Sequence, residues 1–255
     1  MPLSVGQWRS LSRPRRFITD LMHFSQQVPT VTAERRMSLG ALVAARRACQ
    51  NRPSWCVLFA RAFALVAARR PELRCSYLSF PWPHLYEHPV SVAAITVERT
   101  WDGEETPIIA HLVSPETRSL TDLDARLRYF QVCPLNEISA IRRAERMLRL
   151  PRPLRRLVFW AALNLNGPAR ARYIGTYGVS SPAIHGAGML HLRSPATCTL
   201  HYGQFNSDSS LDVRLTFDHR VLDGGTAARA LTDLENVLLH QILTEVRAIG
   251  DAQAT

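Results

Sequence analysis

The stretch VRLTFDHRVLDGGTAARALTDLENVL, residues 213–238, decides how the chain is read. Val213 to Phe217 place Val213, Leu215 and Phe217 on one side at a spacing of two, as a strand requires. The strand delivers Asp218-His219-Arg220, and a short turn with Asp223, Gly224 and Gly225 follows before a helix begins. A histidine at a strand end is suited to general base chemistry near neutral pH, because its ordinary pKa is about 6.5. Asp223 is placed to hold the loop by an ion pair or hydrogen bonds, and the glycines permit a tight turn or a close backbone approach. A plain strand–helix connection carrying an incidental histidine would read the same way from spacing alone.

Around this stretch the chain has 255 residues, 46% hydrophobic and 20% charged, enough for one large domain with a sizeable core. That composition excludes a mainly disordered chain. No apolar run reaches the roughly 18–20 residues of a membrane-spanning helix, and the first residues, MPLSVGQWRSLSRPRRF, lack the apolar core of a secretory signal. Five scattered cysteines without a CxxC pair fit reduced thiols and a cytoplasmic location. His84 and His88 lie in PWPHLYEHP, expected to be a loop, with too few further ligands nearby for a metal site.

The net charge is +10, and all 31 basic residues are arginine. Residues 1–16 hold four arginines and no acid, and residues 142–172 hold nine arginines against Glu145 alone. The rest is close to neutral, which argues against a nucleic-acid coat and for a local contact with something anionic.

Helices are expected over residues 15–26, 39–49, 54–70, 121–130, 137–150 and 226–246, from apolar spacing, Ser54 as a cap and proline stops. An apolar stretch resumes over 154–163. Strands are expected over 28–32, 90–97, 108–113, 173–179, 197–202 and 213–217. The interleaving predicts a single α/β domain spanning 1–255.

DHRVLDGG resembles the DHRxxDG signature of the catalytic domain of dihydrolipoamide acyltransferases, the acyltransferases of 2-oxoacid dehydrogenase complexes. That domain belongs with chloramphenicol acetyltransferase and peptide-synthetase condensation domains, which share HxxxDG; here this is His219, Asp223 and Gly224. SRPRRFITDLMHFSQQVPTVT, PSWCVLFARAFALVAARRPELRCSYL, HPVSVAAITVER and GTYGVSSPAIHG are similar to further family segments in the family's order, over about residues 10–245. The resemblance implies an α/β fold, a chloramphenicol acetyltransferase-like two-layer sandwich with a mixed β-sheet flanked by helices. It implies an acyl-CoA-dependent acyltransferase in which His219 is the base and Ser180 the oxyanion donor, with Ser181 as the alternative. Asp223 would be a structural carboxylate paired with an arginine of the opening helix, Arg15 or Arg16, with Arg16 preferred and Gly224 supporting the turn. Coenzyme A or acyl-CoA is then substrate, no cofactor is tightly bound, and no metal or nucleic acid takes part. A homotrimer is implied, with His219 and Ser180 supplied by different subunits.

Some features depart from the family pattern. No lipoyl or subunit-binding domain is expected in these 255 residues, and without lysine the chain cannot carry lipoate itself. Pro182 and Ala183 stand where the family usually has leucine-glycine, and the tail DAQAT lacks the apolar end that joins trimers into cages. A non-catalytic scaffold, or a dehydrogenase core served by a lipoyl domain on another chain, are the alternatives. Residues 142–172 read as a basic amphipathic insert. Arg152, Arg155 and Arg156 are expected to meet an anionic membrane surface, an acidic carrier protein or coenzyme A phosphates, unless the helix simply packs on its neighbours. Peripheral contact at the inner face of a membrane follows from the first of these.

Overall fold

The computed structural model describes residues 6–181 and 191–254. In chain order the elements are α1 (Arg13–Ser25), β1 (Thr30–Ser38), α2 (Gly40–Ala48), α3 (Trp55–Arg69), β2 (Cys75–Leu78), β3 (His84–Glu87), β4 (Val92–Trp101) and β5 (Glu104–Val113). They continue as α4 (Leu120–Val132), α5 (Ser139–Leu148), α6 (Arg152–Asn164), α7 (Gly167–Ile174), β6 (Tyr177–Ser180), β7 (Cys198–Tyr202), β8 (Ser210–Asp218) and α8 (Gly224–Val237). A π-helical turn, Leu238–Ile242, joins α8 to α9 (Leu243–Ala254), so the long terminal helix expected from the sequence carries a bulge in its middle.

Six strands form one mixed sheet in the order β1-β8-β7-β6-β4-β5, flanked by helices, as the family resemblance implied. The β4–β6 and β6–β7 pairs are parallel and the others antiparallel. β2 and β3 form a separate hairpin. His84 therefore sits in a strand, not in the expected loop, and its Nδ1 lies 2.6 Å from the Trp82 carbonyl oxygen.

Successive side chains of a strand point to opposite faces. On one face Tyr177, Val179, Leu200, Leu215 and Phe217 join the main core with α3 and α8. α3 is apolar over most of its surface because it is covered there: Val57 to Ala60, Ala62 to Ala64, Val66 and Ala67 are buried, and Arg61 pairs with Glu245. The other face carries Ala94, Gly178 and Thr199, small side chains under α1 and α5. There Phe24, Met147, Phe159, Leu163 and Ile174 make a second apolar cluster, in which Phe159 packs on Phe17 and Phe24.

The strand expected over 173–179 divides. Tyr173 and Ile174 end α7, and only Tyr177 onward is strand. Asn166 caps α7, its side chain accepting from the Ala169 N–H at 2.9 Å, and Gly175 at φ +83° ends it. Local caps outweigh the apolar run.

Candidate active site

β8 ends on Asp218, which is fully buried and pairs its N–H with the Thr197 carbonyl at 2.9 Å. Its carboxylate accepts from the Arg220 backbone N–H (3.0 Å), Nε (2.9 Å) and Nη2 (2.7 Å). Its carbonyl accepts from the Val221 and Leu222 N–H groups at 3.0 and 3.1 Å. The Arg220 guanidinium also lies 4.2 Å from the Tyr77 ring centroid, a cation–π distance. One carboxylate thus fixes the whole turn, a role the sequence carried in Asp218-His219-Arg220 but which spacing did not reveal.

His219 stands at the crest of this turn. It is exposed, and its backbone N–H donates to the Pro29 carbonyl at 2.9 Å, tying it to the start of β1. Its ring packs at 5.8 Å on Phe217. The imidazole is therefore held from behind and open in front, as a proton acceptor for a bound group must be.

Asp223 does something other than the expected pairing. It is exposed and caps α8, its side chain accepting from the Thr226 N–H at 2.6 Å, and this bond holds its carboxyl below the usual carboxylate range. Arg15 is engaged with Glu104, and Arg16 is exposed and makes no ion pair with Asp223. No Arg16–Asp223 ion pair forms within the chain, where the Asp223 carboxylate caps α8 instead. Glycine is not demanded at Gly224 either, since a Cβ there would meet nothing within 4 Å.

Ser180 is the last residue of β6 and lines a cavity of about 350 Å³ roofed by α1 and α5. Its carbonyl lies 3.0 Å from His201 Nδ1. The Ser181 hydroxyl donates to the Tyr202 carbonyl at 2.8 Å. Pro182 and Ala183 lie outside the described residues.

Ser180 and His219 are at opposite ends of the sheet. Ser180 is level with His201, whereas Asp218 bonds to Thr197, at the other end of β7. The offset is about 13 Å along the strands, with two strand spacings, about 10 Å, across them.

The basic segment also folds differently from the expectation. Arg155 is 6% exposed and pairs with Asp20, itself 1% exposed; Arg156 Nε lies 3.4 Å from the same carboxylate. Arg170 is buried too, donating to the Leu163 and Pro195 carbonyls at 2.9 and 2.6 Å. Burial pushes its pKa down to about 10. Arg155 is thus an internal strut between α1 and α6 and is not available to an anionic partner, whereas Arg156 stays partly exposed beside the same carboxylate. Arg152 is exposed on α6, beside Leu154 and Leu157.

Burial pushes the Cys56, Cys75 and Cys198 thiols up, away from the reactive thiolate. His88 is buried, with Nε2 3.0 Å from the Ser76 hydroxyl. No group of three or more His, Cys, Asp or Glu placed to hold a metal ion occurs among the described residues. No helix among them is long and apolar enough to cross a membrane.

No family model matches the chain, and no curated protein sequence does. Solved structures do. A probable dihydrolipoamide acetyltransferase from Listeria monocytogenes 4b F2365 superposes with a TM-score of 0.66 at 16% identity, over 93% of this chain and 95% of that one. The chain has the fold of a dihydrolipoamide acyltransferase catalytic core. The Azotobacter vinelandii dihydrolipoamide acetyltransferase matches this acyltransferase fold at a TM-score of 0.64 and 19% identity, over 98% of both chains. The cubic core of the pyruvate dehydrogenase multienzyme complex matches at 0.60 and 18%, again over 98% of both. The acyltransferase fold therefore spans nearly the whole chain at low sequence identity.

Proposed function

We propose that the chain is an acyltransferase that moves an acyl group from acyl-coenzyme A, or from an acyl carrier, to a thiol, hydroxyl or amine acceptor. The observation that carries this reading is His219, open to solvent on a turn fixed by Asp218, in an acyltransferase fold. The mechanism of the Azotobacter enzyme has been studied through a serine, a histidine and an asparagine four residues after it. In this chain the residue four after His219 is Asp223.

In the proposed reaction the imidazole takes the acceptor's proton as the acceptor attacks the thioester carbonyl. The tetrahedral oxyanion receives a hydrogen bond from the Ser180 hydroxyl. Collapse expels the coenzyme A thiolate, which recovers the proton from the imidazolium. A base and an oxyanion donor must lie within a few ångströms of one reacting carbonyl. The sheet separates these two within one chain, which supports a site shared between copies, in the homotrimer that the family resemblance implies.

The test is acyl transfer from acetyl-coenzyme A to dihydrolipoamide and to other thiol, hydroxyl and amine acceptors. His219→Ala is expected to lose about 10²–10⁴-fold and Ser180→Ala about 10²–10³-fold. Randomly co-assembled His219→Ala and Ser180→Ala chains should regain about a quarter of the sites, since one shared site in four then carries both side chains. Full activity in His219→Ala would overturn the mechanism, and absence of complementation would overturn the shared site. A wild-type chain inert with every donor and acceptor would instead point to a scaffold.

A further inference from the structure

The register lines up one rank of side chains across the whole sheet: Thr32, Thr216, Thr199, Gly178, Ala94 and His111 are successive partners from β1 to β5. All six point to the face away from the main core. Between Thr199 and His111 this rank of small residues is the floor of the 350 Å³ cavity, a volume within the range of small-molecule sites. The roof is apolar: Phe17, Ile18, Leu21 and Met22 of α1, with Ile141 and Met147 of α5.

The cavity is not apolar throughout. His111 Nε2, Arg143 Nε and Thr199 Oγ1 are buried, line it, and make no hydrogen bond among the described residues. Buried polar atoms are normally paired, so three orphans in one cavity point to a missing polar partner. Thr199 is only 6% exposed. Burial and the neighbouring Arg143 push the His111 pKa down to about 4, so the imidazole is neutral and able to donate or accept.

Arg143 sets the sign of the partner. It forms no ion pair with any carboxylate among the described residues, and its pKa is lowered by burial first and then by Arg172, Arg146 and Arg142. Its guanidinium donates to the Arg172 carbonyl at 3.3 Å and lies 5.5 Å from the Tyr173 ring centroid. An unpaired guanidinium among like charges, half-buried at the wall of an apolar cavity, favours an anion strongly and a carboxylate by geometry.

We propose that this cavity binds an amphipathic monocarboxylate, its carboxylate on Arg143, His111 and Thr199 and its apolar body under α1. Ser180 belongs to the same wall, so the bound tail runs beside the proposed oxyanion donor. Binding itself does not depend on acyl transfer, and it is tested without turnover.

The experiment is equilibrium dialysis and titration calorimetry of the full chain with octanoate and, as the uncharged counterpart, 1-octanol. Octanoate is expected to bind saturably and at least about tenfold tighter than 1-octanol. Arg143→Gln should weaken octanoate about ten- to hundredfold and leave 1-octanol unchanged. Ile18→Trp, which fills the cavity from its roof, should weaken both. Circular dichroism melts check that each variant is folded; the octanoate-to-octanol ratio on the wild-type chain needs no variant. No saturable octanoate binding, or a ratio near one, overturns the proposal. Binding insensitive to Arg143→Gln or Ile18→Trp places the ligand elsewhere and overturns it as well.

Discussion

Replacing Asp20 by alanine tests how the basic segment is anchored. Asp20 faces inward from α1, its side chain 1% exposed, and holds Arg155 of α6, whose side chain is 7% exposed. Arg156 reaches the second carboxylate oxygen at 3.4 Å. Without Asp20, Arg155 keeps a 3.2 Å bond to the Leu150 carbonyl and no counter-charge. Breaking a buried pair on one side costs about 3–5 kcal/mol, because the remaining charge stays dehydrated. In a chain of this length about 1 kcal/mol shifts the melting temperature by 2–4 °C, so Asp20→Ala should lower Tm by about 6–20 °C. Replacing both partners by leucine removes the stranded charge and should return stability to within about 1 kcal/mol of wild type. Urea unfolding followed by tryptophan fluorescence, with thermal melts by circular dichroism, measures both. A loss below about 1 kcal/mol for Asp20→Ala, or a double variant as unstable as the single, would refute the reasoning. The same geometry says that Arg155→Gln acts on stability and not on the affinity for anionic vesicles.

Two further outcomes follow from the structure. His88 is buried and its pKa is pushed to about 4, by burial first and then by Arg170 and Arg74. The unfolded chain takes up a proton near pH 6.5 that the folded chain refuses. Stability is therefore complete above about pH 6.5 and falls as pH drops toward 4; His88→Asn should flatten that slope in urea midpoints measured against pH, and an unchanged slope would count against a neutral buried His88. Gly175 sits at φ +83°, where an added Cβ would lie 2.8 Å from the Val92 carbonyl oxygen and 2.9 Å from Ala94 Cβ. Gly175→Ala should cost about 2 kcal/mol or more in urea unfolding, from backbone strain and the clash together, and a neutral result would contradict that backbone.

Local chemistry made much of this protein legible from its sequence. α3 could be read because an unbroken apolar helix has to be buried, and β4 because an apolar β-branched run suits a central strand. The turn around His219 could be read because strand, turn and cap are encoded in consecutive residues, with Asp223 capping α8. α7 was encoded as well, in Asn166, Pro168 and Gly175, but the apolar run from Tyr173 suggested a strand. β1 continues to Ser38 through Glu34, Arg35 and Arg36, polar residues that a sheet edge tolerates and a hydrophobic pattern does not announce. Only the tertiary structure decided the fate of the charges: Arg155 found Asp20, 135 residues away, and became a strut, while Arg143 found no acid among the described residues. Strand order likewise set Ser180 and His219 at opposite ends of the sheet, and register lined the cavity floor from β4 to β7 with small side chains. The physical reason is range: caps, turns and apolar periodicity act over a few residues and are written in order. Ion pairs, cavities and shared sites arise between residues that only folding brings together.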